Sequence, residues 1–354
     1  MRVNIVGGGI IGVVCAYYLL RSGCEVVLIE KESALGSKST YAAGGIMMHN
    51  CWNPRSGLWH EFAEQSFSAN KRLEQELFDG SINKVWSWCG RLHLATNDKE
   101  LTTFKSFYDS DSAKYDCSWI SEADICKVEP SFSGHSVGGY LNNGEGKISP
   151  LDLIDLLVDE MSNSKNFTLV LSESISEIIK KNEFELAGVK SPRGNVYYAD
   201  KVVFCAGAYS TSLKNINVYP KKGQAILFDK VPPPFKKITY INGVWFVPRG
   251  ESFMIGATVE DDNFNEATNI SGLNYILSKA TQVAPWLTSV NTSNFKMIAG
   301  LRPYAAQDHP LIEYDSEYSN LLWVTGHGSN GIFFAARTGE IVAAAISSGE
   351  LCTV

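Results

Sequence analysis

Two rhythms of apolar and polar positions run along this chain. In the first, strand-length apolar runs are set against apolar or amphipathic helical stretches. In the second, strand-length runs follow one another with only turns between them. The first rhythm opens the chain: a mostly apolar run, Val3 to Val6, a glycine-rich break, then a helical stretch from Ile10 to Leu20. Ser22-Gly23 ends that helix, and a second apolar run, Val26 to Ile29, stops at Glu30. This is one strand–turn–helix–strand unit. Helical spacing returns over Leu58 to Phe78, with Phe62, Leu73 and Leu77 on its apolar positions. Shorter helices are predicted over Leu101 to Tyr108 and Glu122 to Val128. A strong helix starts at Ser149-Pro150 and runs to Met161, with Pro150 suited to a first turn. Strands are predicted at Arg91–Ala95, Gly138–Leu141, Phe167–Leu171, Ser174–Lys180 and Lys201–Cys205, with Glu183–Val189 and Val196–Ala199 as a hairpin. The second rhythm then takes over, in Gln224–Phe228, Val244–Val247 and Phe253–Ala257. A helix over Gly272–Ala284 stops at Pro285. The strand Phe295–Leu301 leads into Arg302-Pro303. The chain closes with the strand Leu321–Thr325, the segment GHGSNG and a helix from Ile332 to Ser347.

The break in the first unit is G-x-G-x-x-G, made by Gly7, Gly9 and Gly12. Gly7 permits a tight turn, Gly9 lets backbone approach a pyrophosphate, and Gly12 lets helix pack on strand. The helix N-terminus offers free N–H groups and partial positive charge to phosphates. Glu30 can accept hydrogen bonds from both ribose hydroxyls of an adenosine, and its carboxylate would repel a 2′-phosphate. Flanking strands, helix and acid occur together, so the motif reads as a dinucleotide site. By itself it does not separate FAD from NAD. GHGSNG repeats the pattern formally at Gly326, Gly328 and Gly331, but no strand and acid follow it. It reads as a helix N-terminus aimed at the first cofactor. Small residues dominate Ser39 to Gly45. Ser39 and Thr40 can donate to phosphate oxygens, and Ala43-Gly44-Gly45 leaves room for a flat ring; a flexible loop fits the same residue types.

Composition narrows the partners. The chain has 354 residues, enough for two domains or an interleaved pair, with 45% hydrophobic and 19% charged residues. Net charge is −7 with no Lys/Arg cluster, which argues against nucleic acid. The eight cysteines form no C-x-x-C and read as buried free thiols of a cytoplasmic protein. The six histidines lack metal-ligand spacing, so no metal is expected. No run reaches about 18 uninterrupted apolar residues, so no membrane span is expected.

The motifs IVGGGIIG with Glu30, STYAAGGIM, VVFCAGAYS, VWFVPRGESFMIGAT, MIAGLRPYAAQDHPLI and GHGSNGIFFAARTGEIVAAAI stand in that order over nearly the whole chain. Together they resemble the D-amino-acid oxidase-like family of FAD-dependent amine oxidoreductases, nearest its glycine oxidase branch, used in thiamine biosynthesis, and related amino-acid dehydrogenases. The resemblance implies an α/β fold: a Rossmann-like FAD-binding domain of the glutathione-reductase type with an interleaved antiparallel-sheet substrate domain. The FAD-binding domain would comprise 1–45, 146–215 and 300–354, and the substrate domain 46–145 and 216–299. It implies that Gly7, Gly9, Gly12 and Glu30, with Ile10, Ile11 and Lys31 beside them, hold the ADP half of FAD. Ser39 and Thr40 would lie at the pyrophosphate, and Ala43, Gly44, Gly45 and Ile46 along the isoalloxazine. Ile175 would present its backbone to the adenine, and Ala206 and Gly207 would close over the cofactor. Gly328, Ser329, Asn330, Gly331 and Ile332 would bring a helix N-terminus to the flavin ring.

Arg302 matches the family's carboxylate-binding arginine, a planar fork that pairs bidentately with a carboxylate; a structural ion pair is the plain alternative. Two positions depart from the glycine oxidase branch: Trp245 stands where it has a tyrosine, and Ser329 where it has a basic residue. This widens the expected substrate from glycine toward a bulkier or secondary amine. Met48, Trp245 and Ser329 are candidates for the substrate pocket, with core packing an equal reading for Met48 and Trp245. The resemblance implies that a covalent flavin link, as in the sarcosine oxidase branch, needs a cysteine near the Arg302 segment; none lies between Cys205 and Cys352, so the FAD is expected to be non-covalent. The implied reaction is oxidation of the C–N bond of a small amino acid or amine, with hydride passing from the α-carbon to flavin N5. The imine then hydrolyses to an oxo acid plus ammonia or an amine, and no side-chain base is required. The electron acceptor is O2 or a quinone or carrier, and a homo-oligomer is compatible with the chain. The alternative from another class is a non-catalytic FAD-binding subunit, or a tailoring enzyme acting on a carrier-bound or macromolecular amine.

Overall fold

The computed structural model describes residues 1–48, 57–78, 83–112, 114–261 and 263–349. Its helices are α1 (Ile10–Arg21), α2 (Gly57–Leu77), α3 (Asp98–Asp111), α4 (Ile125–Val128), α5 (Pro150–Ser162), α6 (Ile270–Val283) and α7 (Gly331–Ser348). Two large sheets organise them.

The first sheet has six strands in the order Leu311–Tyr314, Leu321–Thr325, Lys201–Phe204, Arg2–Val6, Glu25–Ile29 and Phe167–Val170. All neighbours are parallel except the pair at the Leu311–Tyr314 edge. A parallel sheet needs both faces covered. On one face α1, α5 and α7 pack through Val13, Leu157 and Phe333, joined by Trp59 and Phe62 of α2. On the other lies a three-stranded sheet of Glu177–Lys180, Leu186–Lys190 and Val196–Tyr198, packed through Leu186 and Val189.

The second sheet has eight strands in the order Phe295–Ala305, Val218–Phe228, Ser252–Gly256, Val244–Arg249, Ile238–Ile241, Arg91–Ala95, Gly138–Asn142 and Cys117–Ser121. It is the expected antiparallel sheet apart from one parallel pair, Arg91–Ala95 with Ile238–Ile241. α6 covers one face through Ile276, Ala280 and Val283. A small sheet of Ile46–Met47, Gly146–Ile148 and Trp86–Ser87 links the halves.

Several expectations shift. Residues 174–176 are irregular, and the strand begins only at Glu177. Likewise Leu186, not Glu183, begins its strand, because Asn182 turns the chain by accepting from the N–H groups of Phe184 and Glu185. The strand expected to end at Leu301 continues through Arg302 and Pro303 to Ala305, where it pairs with Val218. It lies at the sheet edge, where proline is tolerated. The expected domain boundary at 300 therefore falls inside a strand of the second sheet, and α2, expected in the substrate half, packs on the first. Of the cysteines, Cys15, Cys24 and Cys205 are buried, Cys89 and Cys117 are half-buried, and Cys126 is exposed. All six are free thiols; Cys51 and Cys352 lie outside the described residues. The exposed Cys126 departs from the expectation of burial.

Candidate active site

A cleft with a cavity volume of about 380 Å³ opens at the carboxyl ends of the parallel strands and runs to the face of the second sheet. Carboxyl ends of parallel strands are where loops diverge and leave a crevice. Every residue expected near cofactor or substrate lines this one cleft except Gly12. Gly12 acts behind it: a Cβ there would run into Gly7 O, so the glycine sets how closely α1 approaches the first strand.

The cradle is built from backbone. Gly7 has φ of +112°, and a Cβ on it would lie 2.5 Å from Cys205 O. Gly9, at the N-cap of α1, brings no side-chain acceptor. Thr40 Oγ1 accepts from Ile10 N at 3.1 Å, which leaves the hydroxyl proton for a ligand. Ser39 differs from expectation: its hydroxyl donates to Leu301 O at 2.6 Å, so its proton is already committed. The Glu30 carboxylate accepts from Gly8 N and, at 2.8 Å, from Glu32 N. These bonds fix it at the cleft wall, with further lone pairs for hydroxyl donors. Lys38 and Tyr209 also line the rim, where Lys38 Nζ pairs with Glu266 Oε2 at 2.7 Å. A helix N-terminus stripped of side chains, an acid one strand away and a floor of Ala43, Gly44 and Gly45 fit an adenine dinucleotide carrying a flat ring, and FAD is such a group.

At the other end stands Arg302, on the edge strand of the second sheet. Its Nη1 donates to Thr258 O at 3.0 Å and Lys222 O at 3.5 Å. Among the described residues no carboxylate forms an ion pair with it. Burial lowers its pKa, and the Tyr304 and Glu260 charges act against that. The seat for its guanidinium is Gly223, on the neighbouring strand: a Cβ there would occupy the place of the fork. Glu260 holds the frame around the seat. It takes hydrogen bonds from Gln224 Nε2 at 2.7 Å and Thr258 Oγ1 at 2.5 Å, and pairs with Lys222 Nζ at 3.3 Å. Sequence reading missed Gly223 and Thr258. A glycine inside a strand, two residues from the position opposite Arg302, was the available signal for a close approach.

Trp245 lines the cleft from the second sheet, wedged against Tyr240 at 4.9 Å and His93 at 5.3 Å between ring centroids. Met48 and Ser329 line it too. Thus GHGSNG joins the first cleft: Asn330 is the N-cap of α7, and Gly328 to Ile332 form part of the wall.

Comparison with known proteins agrees with this geometry. A family model described as DAO, FAD dependent oxidoreductase, matches residues 2–345. Glycine oxidase of Bacillus subtilis (strain 168) is 26% identical over 354 residues, covering 98% of this chain and 93% of the relative. Glycine oxidase of Bacillus licheniformis is 27% identical over 346 residues, covering 96% and 91%. The solved structure of glycine oxidase from Bacillus cereus ATCC 14579 superposes with a TM-score of 0.87 at 24% identity, over 99% of this chain and 95% of that one. With its cofactor cradle and an unpaired arginine in a single cleft, this chain belongs to the family of FAD-dependent oxidoreductases.

Proposed function

We propose that the protein oxidises the C–N bond of a small amino acid or amine whose carboxylate is held by Arg302. The observation that carries this reading is a half-buried guanidinium, open to the cleft, with no carboxylate ion-pair partner among the described residues. A charge out of water is costly unless paired, so the site is complete only when a ligand brings the counter-charge. The relatives named glycine oxidases are enzymes of matching length, and they support a free amino acid as substrate.

FAD, when bound, supplies a two-electron acceptor. Gly7, Gly9, Glu30 and Thr40 would hold its ADP half, with Gly12 setting the approach of α1 behind them, and residues 43–46 with 328–332 would bed its ring. Arg302 anchors the substrate carboxylate and so fixes which carbon faces the ring. Trp245 and Met48 form the apolar wall that excludes water and limits the side chain. Trp245 offers one N–H and no hydroxyl, and Ser329 offers no charge. The preferred substrate is therefore bulkier than glycine, or a secondary amine. The imine product is hydrolysed to an oxo acid with release of ammonia or amine. O2, or a quinone or carrier, takes the electrons. A cytoplasmic location suits the free thiols, and no described helix is long and apolar enough to cross a membrane. The alternative, a non-catalytic subunit or an enzyme of carrier-bound amines, is not favoured, because it leaves Arg302 without a counter-charge.

The test is the visible spectrum of the purified holoprotein before and after anaerobic addition of glycine, sarcosine, proline and D-amino acids. Bleaching by one of them identifies the substrate class, and recovery of colour in air identifies an oxidase. A flavin spectrum that no member bleaches would overturn the small-amino-acid reading. Arg302→Lys is expected to raise KM strongly; an unchanged KM would remove Arg302 from the site.

A further inference from the structure

His327, inside GHGSNG, has no role in the reading above, yet it lines the same cleft. The turn that carries it is fixed on both sides. It forms a bridge with Tyr304, two residues beyond Arg302. Gly328 N donates to Pro303 O at 2.7 Å, and Asn330 N to His327 O at 3.0 Å. The residue is 4% exposed.

Its protons can be counted. Thr338 Oγ1 lies 3.0 Å from His327 Nε2 and 2.9 Å from Phe334 O. A carbonyl can only accept, so both contacts are hydrogen bonds in one arrangement alone, with the hydroxyl proton of Thr338 on Phe334 O. Thr338 Oγ1 must then accept from Nε2–H. A neutral ring protonated at Nε2 carries a lone pair at Nδ1. Burial holds the pKa of His327 down at about 3, so the ring stays neutral at physiological pH. Nδ1 has no hydrogen-bond partner among the described residues. It is not sealed in either, unlike His93 Nδ1, which is buried without a partner. The remaining open side of His327 is the cleft.

We propose that His327 Nδ1 is a fixed hydrogen-bond acceptor for bound FAD, taking an N–H or O–H of its ring or polyol. Thr338 is the positioning residue that locks the tautomer. The inference rests on the cofactor assignment and is independent of the substrate. A ring that cannot hold a proton at neutral pH is an acceptor and not a base, which separates this role from proton abstraction.

The experiment measures the FAD dissociation constant of the apoprotein by fluorescence titration, with KM read on the reconstituted enzyme. His327→Gln keeps an amide N–H for Thr338 and loses the Nδ1 acceptor; FAD affinity should fall roughly ten-fold. His327→Asn puts an amide oxygen near the Nδ1 position and should recover most of that loss. Thr338→Val frees the tautomer and should weaken FAD binding by a smaller factor. Wild-type FAD affinity in His327→Gln overturns the proposal. Equal losses in the Gln and Asn variants would assign the effect to packing and also overturn it. Unchanged FAD affinity with a raised KM would make the substrate amine the donor, and the cofactor role would fall. If His327→Gln yields no folded apoprotein, Thr338→Val decides, and an unchanged dissociation constant there overturns the proposal.

Discussion

Arg91 and Arg302 both stand on strands of the second sheet, the first fully buried and the second half-buried at the cleft, and they differ in what surrounds them. Arg91 is fully buried; its Nε donates to Glu145, also fully buried, and its Nη1 lies 2.9 Å from His93 Nε2. Its charge is compensated inside the fold, under Trp245, whose ring centroid lies 5.8 Å from Arg91 Cζ. Arg302 has carbonyl oxygens and a glycine seat, and no carboxylate partner among the described residues. The difference separates structure from function. A paired buried arginine has its desolvation offset by its partner, and the large cost comes when that partner is removed. An unpaired one is held at a cost that only a ligand offsets.

Replacing the two sites in turn tests that contrast. Arg302→Met should lower kcat/KM for the carboxylate substrate by roughly three orders of magnitude, the loss of a buried charge pair. The same variant should leave the thermal midpoint of the apoprotein unchanged or raised, because a half-buried charge without an ion-pair partner disappears. A strongly lowered midpoint would put Arg302 in the same class as Arg91. Glu145→Ala should do the reverse. It strands Arg91 in the core and should cost about 3–5 kcal/mol of stability, read by urea unfolding. An unaltered urea midpoint would show that Arg91 is compensated elsewhere.

Acid sharpens the contrast less steeply. His93, beside Arg91, and His327, beyond Arg302, are both held neutral by burial, with the Arg91 charge adding to the effect on His93. Their folded pKa values lie below the unfolded value near 6.5, so the unfolded chain takes up protons that the fold refuses. Stability is complete above that pH and falls as pH drops from about 6.5 toward the folded value, about 3 for His327. His327 alone should cost about 1.4 kcal/mol per pH unit in that window. Unfolding at pH 7 and pH 5 should therefore differ, and His327→Gln should reduce the difference. Equal slopes in wild type and variant would mean that the ring titrates normally.

The smallest effect belongs to the seat. Gly223→Ala should displace the Arg302 fork and raise KM about ten-fold, with stability nearly unchanged, since a misplaced anchor costs more in binding than in folding. A normal KM would mean that the guanidinium has another place to lie.

Much of this was legible in the chain. The first unit reads directly because turn, helix and acid are local: Gly7, Gly9 and Gly12 act within one turn, and Glu30 ends the next strand. Arg302, Trp245 and GHGSNG were found as motifs, and the fold brings them to one cleft. The commitment of Ser39 to Leu301 O could not be read, because its partner lies 262 positions away in sequence. Neither could the Arg302 seat, where Lys222, Gly223 and Thr258 meet through strand pairing and one loop. The Arg91–Glu145–His93 cluster was equally hidden: Arg91–Ala95 passed as an ordinary alternating strand.

The sequence by itself determined where a dinucleotide would bind and that an arginine was available for a carboxylate. Local spacing is enough to specify a turn, a helix start and a residue type. Only the tertiary structure decided which arginine keeps its charge for a ligand. Compensation is a property of neighbours in space: the turn after Gly138–Asn142 brings Glu145 to Arg91, while the strand and loop beside Arg302 bring it carbonyls and a glycine and no carboxylate within ion-pair distance among the described residues.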